Sequence, residues 1–292
     1  MSRTLLKQIA AVTVLIVTGA AFAYYFKTHP EVGKLLRDVP LTTLGILLLL
    51  YIATVGALVL IFTATLRLCK LKIEAGEVSL LTAYSSVINF FGPLQSGPAF
   101  RAVWLYQKYK LNLKAYAMAT FVYYLFFGFF SGLFLISGLF GWWTLLLSII
   151  GASCIYFAVG TRWIAPRLKN LDMRGWYYLA IATLIQVSLM AVIYTIELKA
   201  VDPNINVGQA IIYTGAANLA LFVSLTPGAI GFREAFLLFS QQLHHISPSV
   251  IVATNILDRT LYITLMLLLG IFIFGSQANK RFKSATDKKA VS

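Results

Sequence analysis

The chain has 292 residues, is 59% apolar and only 12% charged, and has a mean hydropathy of +0.81. Soluble globular chains are about one quarter charged, so a chain this long with half that complement has too little polar surface to solvate a globule. That excludes a soluble enzyme or soluble binding module and leaves an integral membrane protein. The formal charge is +14, from 24 Lys and Arg against 10 Asp and Glu. These cations lie in short loops between apolar runs, which marks a cytoplasmic face and needs no nucleic acid to explain it.

In chain order, apolar runs of spanning length occur at 5–26, 41–66, 115–138, 140–160, 176–199 and 249–274. Two further runs, 78–92 and 208–226, carry more polar groups, and each ends at a proline, Pro93 and Pro227. Each is followed by a short, partly polar helical stretch, 98–107 and 230–243. The tail 275–292, with Lys280, Arg281, Lys283, Lys288 and Lys289, reads as a mobile, solvated cytoplasmic segment. Arg3 and Lys7 followed by an apolar stretch and Ala21-Phe22-Ala23 also fit a cleavable signal peptide. A counterpart later in the chain favours a permanent span instead.

Adding 134 to the residue numbers carries the first run onto 139–160, 41–66 onto 175–200, 78–94 onto 212–228 and 115–138 onto 249–272. The same shift places Pro93 on Pro227 and Gly97 on Gly231. This register predicts a duplication within one transmembrane domain, 1–274, with repeats 5–138 and 139–274. If all eight runs span, Lys and Arg are shared evenly between the two sides. If the two proline-terminated segments instead dip in and return as re-entrant hairpins, 18 Lys and Arg fall inside and 5 outside, with Arg259 in the last span. The positive-inside rule prefers the second arrangement. The expected fold is therefore an all-α polytopic membrane protein: six full spans plus two re-entrant helical hairpins in an inverted repeat, with both termini inside. Inverted repeats with broken helices at the midplane are how many transporters build an alternating-access site.

The most specific string is Thr226-Pro227-Gly228-Ala229-Ile230-Gly231-Phe232-Arg233-Glu234. Pro227 and Gly228 stop one helix, and Gly231 permits a tight turn before the next. The new helix would aim its free N–H groups and positive dipole end at the hairpin tip, where an anionic headgroup is the natural guest. The first copy, Pro93-Leu94-Gln95-Ser96-Gly97-Pro98 and then Arg101, has the same features more sparely, with Pro98 suited to a first helical turn. Asp258 and Arg259 lie about ten residues into the last span, roughly 15 Å deep. Charges at that depth are functional candidates unless paired or wet. The expected partners are Glu234 for Arg259, and Arg233 or a polar cavity for Asp258; a static ion-pair network is the competing reading. Arg101, Arg233, Arg259, Gln95, Asn89 and Asn218 are thus candidates for headgroup binding, and Glu234 and Asp258 for gating. Glu197 reads as a water-facing residue near the end of its span, and His29, His244 and His245 as loop histidines. Trp142, Trp143, Trp176, Tyr177 and Tyr178 read as interfacial anchors, and the aromatic run 121–130 as lipid-facing or core. No metal or cofactor site is expected, and Cys69 and Cys154 form no motif.

The 226–234 string is similar to the Pro-Gly-Gly-x-Gly-x-x-Glu signature of the lysylphosphatidylglycerol synthetase transmembrane family. This flippase-like domain stands at the N-terminus of multiple peptide resistance factors and also occurs as free-standing proteins. Arg259 matches the family's downstream arginine, and Pro93 to Arg101 resembles its earlier Pro-x-x-x-Gly-x-x-x-Arg element. Two departures stand out: Pro98 occupies a place where the family commonly has Glu, and Tyr123-Tyr124 one where it often has Glu-Arg. The first half thus lacks charges that the second keeps, which weakens the case for a lysyl-lipid substrate. The resemblance implies a free-standing lipid translocase-like protein without the soluble aminoacyl-transferase domain.

The function expected from these features is translocation of an amphiphile with a phosphate-bearing headgroup between leaflets of a bacterial or archaeal plasma membrane. Phospholipids, glycolipids and polyprenyl-phosphate-linked sugars are the partner classes, and a homo-oligomer or an associated lipid-modifying enzyme is compatible with the chain. An intramembrane transferase or phosphatase is the rival, but the histidines sit in loops and no carboxylates pair at short spacing. A non-transporting envelope scaffold is a third reading.

Overall fold

The computed structural model describes residues 27–28, 30–91, 96–140, 143, 150–151, 173–222 and 232–290. The span at 5–26, nearly all of 140–160, and Pro93, Gln95, Pro227, Gly228 and Gly231 lie outside these residues, as do His29, Trp142 and Cys154. All regular structure among the described residues is helical: α1 Pro30–Arg37, α2 Leu41–Leu68, α3 Ala75–Phe91, α4 Ser96–Tyr109, α5 Leu113–Phe140, α6 Met173–Val201, α7 Val207–Phe222, α8 Phe232–Phe239, α9 Gln241–His244 and α10 Pro248–Ala290.

Four of these are long and apolar enough to cross a membrane, over Leu41–Leu68, Leu113–Ser137, Gly175–Val201 and Pro248–Ile273. Each coincides within a few residues with an expected span. Their start and stop signals are local. Pro40 stands before α2 in extended conformation, where its fixed φ and missing N–H cost the helix nothing. Past its other end Lys70 turns left-handed (φ 55°) and the Leu71 N–H donates back to Leu66 O at 2.9 Å, closing the last turn in the Schellman manner. Large apolar side chains such as Leu49, Ile52, Ile181, Leu267 and Ile271 remain exposed on the outer faces of α2, α6 and α10. Hydrocarbon accepts such surfaces at no cost, so these helices can be apolar on all sides.

Helix α2 and its counterpart 134 residues later, α6, pack side by side. Leu68, at the end of α2, meets Gly175 at the start of α6, whereas Tyr51, ten residues into α2, meets Glu197 near the end of α6. The two helices are therefore antiparallel. Several further contacts obey the same exchange of halves: α5 packs on α7 as α10 packs on α3, α5 on α6 as α10 on α2, and α4 on α5 as α8 on α10.

Helices α3 and α4 form a helical hairpin. Ser96 Oγ donates to Ile88 O (2.9 Å), the Gly97 N–H donates to Asn89 Oδ1 (3.2 Å), and at the open end Lys108 Nζ reaches Glu77 Oε1 (2.6 Å). That hydrogen bond raises the Lys108 pKa. The expected helix at 98–107 thus begins at Ser96, and Pro98 sits in its first turn. Helix α7 makes the second hairpin with α8 and α9, where Gln209 Nε2 donates to His245 O (3.4 Å).

Two glycines set the closest approaches. A Cβ on Gly97 would lie 2.5 Å from Ser85 O, and one on Gly215 would lie 2.2 Å from Leu135 N and 2.6 Å from Ser131 O. Alanine at Gly97 is expected to destabilise by about 1–3 kcal/mol, and alanine at Gly215, which meets backbone on all sides, by at least as much. Gly45, with nothing within 4 Å, is the neutral control. Thermal unfolding in detergent orders the three; equal melting of G97A, G215A and G45A contradicts the packing described.

Helix α10 runs to Ala290, so the basic tail continues the last helix; after Gly275 it has no Gly or Pro to stop a helix. One expectation is corrected here. Trp176 is buried against Phe126 (ring centroids 6.2 Å) and is no interfacial anchor. Tyr177 and Tyr178 are exposed as expected. The run 121–130 is divided, with Phe126, Phe127 and Phe130 in the core and Phe121 and Leu125 outside.

Candidate functional site

In the first turn of α8, Arg233 is drawn into the interior by Asp258 of α10. Its Nη1 donates to Asp258 Oδ2 at 2.5 Å, with the two side chains only 4% and 6% exposed. The guanidinium also lies 5.1 Å from the Tyr194 ring centroid, a cation–π contact that offsets part of its desolvation. Asp258 Oδ1 is hydrogen-bonded to the hydroxyl of Tyr51, which is also 2.9 Å from Glu197 Oε1. Four elements thus converge: α2 supplies Tyr51, α6 supplies Tyr194 and Glu197, α8 supplies Arg233, and α10 supplies Asp258.

Arg259 points elsewhere, as neighbours on one helix must. Its Nη2 is 3.6 Å from Glu234 Oε1, an ion pair without a hydrogen bond, with the side chains 14% and 20% exposed. The pairing expected from sequence is therefore the one observed, Arg259 with Glu234 and Arg233 with Asp258.

Aromatic rings wall this cluster. Tyr194 and Tyr213 meet edge-to-face with centroids 5.7 Å apart, and Tyr51 and Tyr262 meet likewise at 6.0 Å. Behind Tyr213 stands His244, 5.7 Å away and fully buried. The Ile246 N–H donates to its Nδ1 (3.2 Å), so the neutral ring carries its proton on Nε2 and donates to Leu237 O (3.1 Å). His244 therefore ties α9 to α8 and is no surface histidine.

Several buried polar atoms are reached by no hydrogen bond: in the cluster Arg233 Nε and Nη2 and Glu197 Oε2, and outside it Arg259 Nε and Nη2 and both amide atoms of Asn218. Such groups are few in a folded protein, and each calls for a ligand, an ion or water. At membrane depth they mark a wet or ligand-binding interior.

Arg101 is placed apart from Arg233 and Arg259. Its Nε donates to Ser85 Oγ at 2.5 Å and its guanidinium lies 4.6 Å from the Phe62 ring centroid. It makes no ion pair among the described residues. Asn89 is committed to the Gly97 amide and holds the first hairpin together. Cys69 stands at the end of α2, and burial pushes its thiol up to about 11, which disfavours the thiolate.

Sequence reasoning missed Glu197, which is fully buried rather than water-facing. The signal was present: Tyr194, Glu197 and Val201 recur at helical spacing on one buried stripe, while Lys199, two residues on, is exposed.

No curated protein matches the chain. The profile of the family described as lysylphosphatidylglycerol synthase TM region matches residues 8–270. With that match and its four membrane-length helices, this multi-pass membrane protein belongs to the lysylphosphatidylglycerol synthase transmembrane-region family.

Proposed function

We propose that the protein moves an amphiphile with a phosphate-bearing headgroup between the leaflets of a bacterial or archaeal plasma membrane, and that it does so without catalysing a chemical step. The observation that carries this reading is the buried Arg233, whose guanidinium keeps two nitrogens free of hydrogen bonds beside an aromatic-walled polar cluster. A phosphate oxygen is the natural acceptor for such donors. The antiparallel packing of α2 on α6 and the two helical hairpins support six spans with two re-entrant hairpins in an inverted repeat, with both termini inside. Arg233 serves the headgroup from the second hairpin, Arg259 from the last span and Arg101 from the first hairpin, while Glu234 and Asp258 release and recapture the arginines as the headgroup passes. Phospholipids, glycolipids and polyprenyl-phosphate-linked sugars share the required headgroup chemistry.

Reconstitution into liposomes with fluorescent lipid panels tests the reading. Leaflet exchange is expected for phosphate-bearing lipids, weak exchange for a neutral glycolipid, and loss of the difference in Arg259→Ala. Chemical conversion of the probe without leaflet exchange would overturn the proposal in favour of an enzyme.

A further inference from the structure

The Tyr51 hydroxyl makes two close contacts, to Glu197 Oε1 at 2.9 Å and to Asp258 Oδ1. A phenol has one proton and can donate to only one of them. If both carboxyls were ionised, the second contact would set two bare oxygens against each other in a buried site. One carboxyl must therefore carry a proton and donate to the Tyr51 oxygen. Asp258 is the ionised partner, because its Oδ2 accepts from Arg233. Glu197 has no cationic partner among the described residues, and its Oε2 has no hydrogen bond. A neutral acid can leave a carbonyl oxygen unmatched in the interior far more cheaply than a carboxylate can.

The charge count agrees. Glu197 is faced by Tyr51 from α2, Tyr213 from α7, Arg233 from α8 and Asp258 from α10, with Tyr194 beside it on α6. From α5, Tyr123 donates to Gln186 of α6 (3.1 Å), three turns away from Glu197. With Glu197 neutral, Arg233 and Asp258 cancel; with Glu197 ionised, the buried cluster would hold a net negative charge next to the proposed anion site.

We propose that Glu197 is the proton-holding residue of this protein, and that proton transfer from Glu197 through Tyr51 to Asp258 frees Arg233 for an anionic headgroup. The inference rests on the translocase reading above. In the transfer the Glu197 O–H bond breaks as a new O–H forms on Tyr51. The original Tyr51 O–H breaks as one forms on Asp258. No proton is gained or lost, and a negative charge moves from Asp258 to Glu197. Neutral Asp258 no longer holds Arg233, whose guanidinium then turns to the phosphate. Departure of the headgroup returns the negative charge to Asp258 and the proton to Glu197. Exchange of the Glu197 proton with one aqueous side would couple the cycle to a proton gradient.

Infrared spectroscopy of the purified full-length protein at neutral pH tests the resident proton without any transport measurement. The carbonyl stretch of a neutral carboxylic acid is expected in the wild type and in Glu77→Gln, and lost in Glu197→Gln. In Tyr51→Phe the band should persist but move to higher frequency, because its hydrogen bond is gone. A band absent from the wild type, or retained in Glu197→Gln, overturns the assignment. So does a band whose frequency is unmoved by Tyr51→Phe. In liposomes doped with fluorescent phosphatidylglycerol, wild-type exchange should vary with pH, and Glu197→Gln should lose that dependence. Wild-type exchange that is absent defeats the translocase reading but leaves the infrared result standing. Exchange with an unaltered pH profile in Glu197→Gln defeats the relay alone.

Discussion

Asp258→Ala is expected to destabilise the protein by about 3–5 kcal/mol, the cost of leaving a buried partner charge uncompensated. Arg233 is 4% exposed, and among the described residues its hydrogen bond is the one to Asp258. Removing the carboxylate therefore leaves a buried guanidinium with the Tyr194 ring face but no counter-charge among the described residues. Arg233→Ala should cost a similar amount for the opposite reason, since Asp258 would then keep only the Tyr51 hydroxyl. The double variant removes both charges together and should recover most of the loss, giving a coupling of several kcal/mol in a double-mutant cycle. Unfolding of the four proteins in detergent measures this. Additive losses would mean that the two side chains do not meet in the interior.

Arg101→Ala should do the reverse: leave stability nearly intact and disable transport. No carboxylate depends on Arg101 among the described residues, and Ser85 Oγ still donates to Thr82 O (2.9 Å) without it. Loss of the contact over Phe62 and of one hydrogen bond costs about 1–2 kcal/mol. Removal of one charge-assisted contact to a phosphate is worth about 1.5–3 kcal/mol, which is roughly 10–100-fold in exchange rate of a phosphate-bearing lipid. Exchange of the neutral glycolipid should be unchanged. A variant that transports phosphate-bearing lipids at the wild-type rate removes Arg101 from the headgroup path. The pair of experiments separates a static ion-pair scaffold from a site. In a scaffold, stability and transport fall together in every variant, whereas a site loses transport at Arg101 while remaining folded.

The second hairpin shows how far local signals reach. Arg233, Glu234, Asp258 and Arg259 are charges beside a proline-glycine break or deep in an apolar span. With so few charges at that depth, the cost of burying any of them alone points Arg259 to Glu234 and Asp258 to Arg233 or a polar cavity, and the fold decides for Arg233. The residues that complete the cluster announce themselves less clearly. Tyr51, Tyr194 and Tyr213 are three of 15 tyrosines, and a tyrosine in an apolar helix suits lipid, interface or core equally well. His244 stands in a short loop-like stretch, yet it is the packing of α9 against α7 and α8 that buries it.

The four membrane-length helices were legible in the sequence alone, because bilayer thickness and helix rise convert apolar run length directly into a span. The excess of cations on one side of the alternating loops added the expected direction of each half. Tertiary structure alone decided which face of each span looks inward. In water the polar stripe of a helix tells inside from outside, but α2, α5 and α6 are apolar all round, and lipid is as good a solvent for leucine as a protein core. Hence Glu197 could be read as water-facing until the antiparallel packing of α6 on α2 set it against Tyr51. That contact joins Glu197, through Tyr51, to the Arg233–Asp258 pair.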